Sequence, residues 1–122
     1  MRQDYKELLH KDLCARLHYG VKVTTTNPAV ELGVISGISI EYKISVRTKH
    51  ADIVFDCTEV KPYLRLMSEM TEEEKETYLL FSYARCNDKA FDWLNAHHFD
   101  YRGLIGKGLA LKAPEGMYKI EK

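Results

Sequence analysis

The sequence predicts an α+β fold, with one N-terminal helix, a small antiparallel SH3-like curled sheet or barrel of four or five strands, and a C-terminal helical pair. Three observations predict it. Ile38 to Arg47 alternates apolar with polar residues, which gives a strand one buried and one wet face. Turn signals then recur at short intervals through Val21 to Arg65. Runs with helical spacing flank this stretch on both sides. A chain of 122 residues suits one domain, with a leading helix over 1–20, a β core over 21–65 and a helical tail over 66–122.

In the leading segment, Asp4-Tyr5-Lys6-Glu7 has the form of a capping box. Tyr5, Leu8, Leu9, Leu13 and Leu17 follow at helical spacing until Gly20 ends the run. Val21 and Val23 begin the β core. Val30, Leu32 and Val34 form the next alternating set after the turn signal Asn27-Pro28. Ser36-Gly37 and Thr48-Lys49-His50 mark further turns, and Tyr42 shares the parity of Ile40 and Ile44, so all three are expected in the core. Ile53 and Phe55 between Asp52 and Asp56 make a fourth strand. Val60 to Leu64 makes a fifth, which Pro62 assigns to an edge.

Thr71 to Glu74 is a second capping box, placing acids at the positive end of a helix. Tyr78, Leu79, Leu80, Phe81 and Ala84 are the expected buried residues of that helix. Asn87-Asp88 caps a continuation in which Ala90, Phe91, Trp93 and Leu94 supply the apolar face. Gly103 to Gly108 is too rich in glycine for a long helix, and Leu109 with Leu111 forms a last extended piece before the turn Ala113-Pro114-Glu115-Gly116.

Composition excludes several classes of function. Eighteen Lys and Arg balance eighteen Asp and Glu, so no net field recruits nucleic acid or an anionic membrane. Met1 to Lys11 lacks the apolar core of a secretion signal, and no stretch approaches the length of a membrane span. Cys14, Cys57 and Cys86 are odd in number and irregularly spaced, which fits a reducing cytoplasm better than a disulfide framework.

The motifs that approach chemistry stop short of it. His10, Cys14 and His18 share one helical stripe but span about 12 Å, too far for a single ion. His97 and His98, beside Asp92, Asn95 and Asp100, form the densest polar cluster and offer general acid or base chemistry if Cys86 or a carboxylate comes close. Ending a helix with a cation is the commoner role for such a pair. Gly103 to Gly108 lacks both the early glycine and the hydroxyl residue of a P-loop, and reads as a backbone turn. No cofactor and no metal is expected.

Lys61-Pro62-Tyr63-Leu64-Arg65, Met70 to Glu74, Asp92 to Ile105, Gly108 to Leu111 and Ala113 to Tyr118 together resemble a family of small uncharacterised proteins of gut-bacterial, bacteriophage and mobile-element genomes. Lys11 to Leu17 before Tyr19-Gly20-Val21 resembles that family's opening, whereas His18, Leu66 and Gly106 depart from its pattern. The resemblance implies an accessory protein of phage or mobile DNA in the cytoplasm of a bacterial host, and brings no activity, cofactor or catalytic residue.

The expected function is therefore a non-enzymatic protein-interaction module, anti-defence or host-modulating in role, with Tyr63, Trp93, Tyr101 and Arg102 as contact residues. A small β-barrel that binds nucleic acid through Lys43, Arg47, Lys49, Lys61 and Arg65 is the alternative. An enzyme using His97 and His98 is the second. The expected partner is another protein, without a membrane.

Overall fold

A computed structural model describes residues 2–27, 32–49, 51–83 and 87–118. Pro28, Val30, His50, Ala84 and Cys86, which figure in the sequence reading, lie outside them. The architecture is α+β, with an N-terminal helix laid on a mixed, open six-stranded sheet. Helix α1 (Gln3–Arg16) buries Leu9 and Leu13 completely, with Tyr5, Leu8 and Leu17 packed around them. The expected Asp4–Glu7 capping box does not form, because the helix starts two residues too early, with Arg2 at the N-cap position. Asp4 falls inside the first turn, where it suits the helix dipole and pairs with Arg2 at 2.9 Å, while Glu7 accepts from Gln3 at 3.3 Å. A 3-10 turn (Leu17–Tyr19) and Gly20, at φ 68°, then deliver the chain to the sheet.

The strands are β1 (Lys22–Thr25), β2 (Gly33–Ile38), β3 (Lys43–Arg47), β4 (Asp52–Asp56), β5 (Val60–Leu64) and β6 (Leu111–Lys112), in the spatial order β4-β3-β2-β1-β5-β6. The first five pair antiparallel, whereas β6 joins β5 in parallel. Closure toward a barrel does not occur among the described residues: β4 and β6 are opposite edges of one sheet. Pro62 is buried and pairs with Val23, and β5 lies between β1 and β6 rather than at an edge. The missing N–H is tolerated because the short β5–β6 ladder begins only at Tyr63.

The long alternating run Ile38 to Arg47 is two strands, not one. Ser39 Oγ accepts from the N–H groups of Glu41 and Lys43, and the resulting turn holds Tyr42 at φ 62°. Ile40, expected in the core, is consequently 93% exposed. Tyr42 is half-buried, edge-on to His10 of α1, and only Ile44 and Val46 of that set are fully enclosed. Within β2 the expected parity is inverted, since Ile35 is buried and Val34 only half-buried, and the strand passes through Ser36-Gly37 by a register shift instead of turning. Gly33 is required where β2 crosses Val46, because a Cβ there would collide with Val46 Cγ1.

After β5 come α2 (Glu72–Tyr83) and α3 (Asn87–Ala96). The Thr71–Glu74 capping box is present in both directions, at 3.1 Å and 2.9 Å. The end of α3 is a Schellman arrangement: the N–H of Phe99 reaches Leu94 O, the N–H of His98 reaches Asn95 O, and His98 occupies the left-handed position at φ 64°. Two apolar clusters result. The larger joins α1 and the inner sheet face to Leu104, Leu109 and Ala110; the smaller comprises Met70, Leu94 and Phe99. No helix among the described residues is long and apolar enough to cross a membrane.

The last described segment is tied back to the sheet by one phenol. Tyr118 Oη accepts from the N–H of Lys22 and donates to the carbonyl of Tyr63, both at 2.8 Å, bridging β1 and β5 just beyond their Val23–Pro62 pairing. Lys22 Nζ also donates to Met117 O at 3.0 Å. Tyr118→Phe removes both phenol bonds while preserving the ring, and is expected to lower unfolding free energy by about 1–3 kcal/mol in urea titration.

Candidate functional site

Beside the polar cluster expected at His97 and His98, the structure has a buried charge network made of other side chains. Asp12 and Arg16, one turn apart on the inner face of α1, are both fully buried and joined by two bonds of 2.8 Å and 3.1 Å. Arg16 Nη2 donates to Phe99 O at 2.6 Å, and Arg102 Nε donates to Asp12 Oδ1 at 3.1 Å. Tyr101 lies beneath both guanidinium groups, at 5.5 Å from Arg16 and 4.8 Å from Arg102, and its hydroxyl accepts from Arg102. Asp100 is committed elsewhere: its carboxylate accepts from the N–H groups of Leu104 and Ile105, which shapes the glycine-rich turn.

A second arginine grips the same segment from the sheet. Arg65 makes a two-bond pair with Glu74 at 2.7 Å and 2.8 Å, donates to His97 O, and lies 4.2 Å from the centre of the Phe99 ring. Burial alone would raise the Glu74 carboxyl pKa, but the Arg65 and Thr71 hydrogen bonds outweigh it and hold the pKa below the ordinary value. The backbone joins in, since Arg65 N–H donates to His98 O and Asp100 N–H to Arg65 O.

The two histidines have separate surroundings. His97 Nδ1 is 2.9 Å from Trp93 O and its ring stacks on Trp93. His98 is buried and stacks on Tyr118 at 3.8 Å, and its Nδ1 has no hydrogen-bond partner among the described residues. Burial, followed by the charges of Arg16, His97, Arg65 and Lys22, drives the His98 pKa down to about 4. A histidine held neutral behind a tyrosine is suited to packing at a helix end, and Cys86, the thiol considered beside it, lies outside the described residues.

The remaining candidates are dispersed. Trp93 is half-buried among Tyr78, His97 and Phe99; Tyr101 and Arg102 belong to the charge network; Tyr63 is half-buried and lends its carbonyl to Tyr118. Of the cations proposed for nucleic acid, Lys43 pairs with Asp56, Arg47 with Asp52 and Arg65 with Glu74, while Lys49 and Lys61 are exposed. Asp56 is held at about 2 by hydrogen bonds from Thr58 first and then by Lys43 and Lys6. His10 turns to the Ser39 carbonyl at 3.1 Å, with Cys14 3.9 Å from its Nε2. Cys57 is buried and pushed up to about 11. A cavity of about 300 Å³ lies by Arg65, Glu69, Lys112 and Tyr118, but both of its cations are already paired with carboxylates.

One surface was missed by the sequence reading. Leu79 and Leu80, expected inside, are 48% and 69% exposed, and Tyr83 is 81% exposed. The inward stripe of α2 is Glu74, Tyr78 and Phe81, spaced by four and three residues; Leu79, Leu80 and Tyr83 fall on the opposite side with Glu72 and Glu76. Glu74 faces inward because this capping-box acid also pairs with Arg65, a contact that the spacing of the helix does not reveal. On α3, Phe91 is 49% exposed and leans on Tyr101 at 5.2 Å.

Comparison of the chain with protein-family models, with curated proteins and with solved structures found no match.

The buried network and the buried histidine each give a measurable expectation. Asp12→Ala leaves Arg16 charged in the core and should cost about 3–5 kcal/mol, whereas Asp12→Leu with Arg16→Met should recover much of that loss in denaturant titration. For His98, the unfolded chain takes up a proton from about 6.5 downward while the folded chain resists until about 4. The contribution of His98 to stability should therefore be constant above that upper value and fall as pH decreases through the window. His98→Phe should flatten the fall between pH 6.5 and 4.5, a range lying above the ordinary titration of Glu74 and Asp56.

Proposed function

We propose that this chain is a non-enzymatic protein-interaction module and that its contact surface is the outward side of α2 and α3. The observation that carries the reading is the exposure of Leu79, Leu80 and Tyr83 at 48%, 69% and 81% on adjoining turns of one helix. Apolar groups clustered in that way on a surface favour a protein partner, whereas isolated ones need no explanation. Of the residues proposed as contacts, Trp93 stacks on Tyr78 on the inward side of α2 and so backs this helix, while Tyr101 lies tilted against Phe91 of α3. Arg102 holds Tyr101 in place, and Tyr63 lies on β5.

The strand order β4-β3-β2-β1-β5, with a 3-10 turn (Cys57–Glu59) before β5, is compatible with the SH3-like sheet expected from the sequence. Fold by itself leaves function open. The resemblance to proteins of phage and mobile elements supplies the setting we propose, a bacterial cytoplasm in which the partner is a host or defence protein.

Photo-crosslinking tests the surface directly. With p-benzoylphenylalanine at position 80 or 83, cells making the protein should yield a discrete crosslinked species, and the same residue in place of Lys61 on β5 should not. Crosslinking from Lys61 alone would remove the helical surface from consideration.

A further inference from the structure

We infer that the segment docking on α2 is a cationic amphipathic polypeptide, an inference that rests on the protein-docking reading above and gives the partner its chemistry. The outward stripe of α2 changes character along its length. Glu72, Glu76 and Leu80 follow one another at four-residue steps, as do Leu79 and Tyr83, so the stripe is acidic over its first turns and apolar over its last. Glu73 is exposed beside it. The exposed ammonium group described on α2 is Lys75, 3.4 Å from Glu72. Three exposed carboxylates, Glu72, Glu73 and Glu76, against one lysine make the described part of this helix surface negative in a chain whose formal net charge is zero.

An apolar patch with an anionic border selects its occupant. Phosphate backbones and anionic lipid surfaces are repelled by it. A second copy laid antiparallel over the apolar turns across a two-fold axis would bring Leu79, Leu80 and Tyr83 of the two helices together but leave Glu72 and Glu76 of each at the outer ends without a cation of this stripe to meet. A polypeptide that offers leucine-like side chains to Leu79, Leu80 and Tyr83, and Lys or Arg one turn away to Glu72 and Glu76, satisfies both parts at once. Helix in groove and helix on helix are the usual forms of such recognition. Charge supplies the choice of partner and the apolar turn supplies residence.

The test uses the full chain and two labelled probes, an amphipathic peptide of leucine and lysine and its leucine–glutamate counterpart, read by fluorescence anisotropy. The lysine peptide should bind about tenfold or more tightly than the glutamate peptide, with the preference shrinking as salt is raised. Leu80→Ser with Tyr83→Ser should weaken it by a similar factor, and Glu72→Lys with Glu76→Lys should reverse the preference. All four residues are exposed, so an unchanged circular dichroism spectrum is expected of each variant. Equal binding of the two peptides, or binding indifferent to both pairs of substitutions, would overturn the cationic assignment even where crosslinks from positions 80 and 83 still uphold a docking surface. Sedimentation showing dimers that Leu80→Ser with Tyr83→Ser dissolves would overturn it too, by making a second copy the occupant.

Discussion

The carbonyl and ring of Phe99 are the point on which the two halves of this protein depend. Arg16 reaches the carbonyl from α1, and Arg65 covers the ring from the end of β5. Each guanidinium is paired with a carboxylate, Asp12 for the first, shared with Arg102, and Glu74 for the second. Charges taken out of water in this way contribute little net stability, yet separating them is costly, so the arrangement fixes one geometry more than it deepens the energy well. A small chain with two modest apolar clusters gains from such a constraint, because hydrophobic contacts alone do not fix orientation.

Around that point the backbone is closed economically. His98 takes the left-handed turn that ends α3, its carbonyl receives Arg65 N–H, and Asp100 answers with an N–H to Arg65 O. Asp100 then organises the next turn with its carboxylate, and the chain comes back as β6 beside β5. Tyr118 fastens the end by inserting its hydroxyl between two strands. Of the residues that looked most like a reaction centre, His97, His98 and Asp100 tie the end of α3 and the following turn to β5. The outward side of α2 has none of these duties, and there three apolar side chains, Leu79, Leu80 and Tyr83, lie uncovered on adjoining turns.

Much of the fold was legible because periodicity and capping are local. Leu9 and Leu13 at helical spacing, Asp52 to Asp56 as a strand, Thr71 with Glu74 as a helix start and the glycine-rich turn after Gly103 all follow from nearest-neighbour sterics and hydrogen bonding. Alternation misled where a side chain competed with the ladder. Ser39 bonded its own following amides and broke the run that placed Ile40 inside. Leu79 and Leu80 misled for a different reason, since apolar character had assigned them to the core while the inward face was set by Glu74 through its distant partner.

By itself the sequence determined an α+β chain with a leading helix, the approximate limits of most strands, and a balanced charge that favours no polyanion. Only the tertiary structure decided that the sheet stays open with β6 parallel at its edge, that Asp12 and Arg16 are interior, and that Leu79, Leu80 and Tyr83 of α2 face outward together. The physical reason is range. Helical and strand periods are written in neighbouring residues, whereas the burial of a charge depends on a partner far along the chain, as Arg16 and Phe99 are, and no local pattern encodes that meeting.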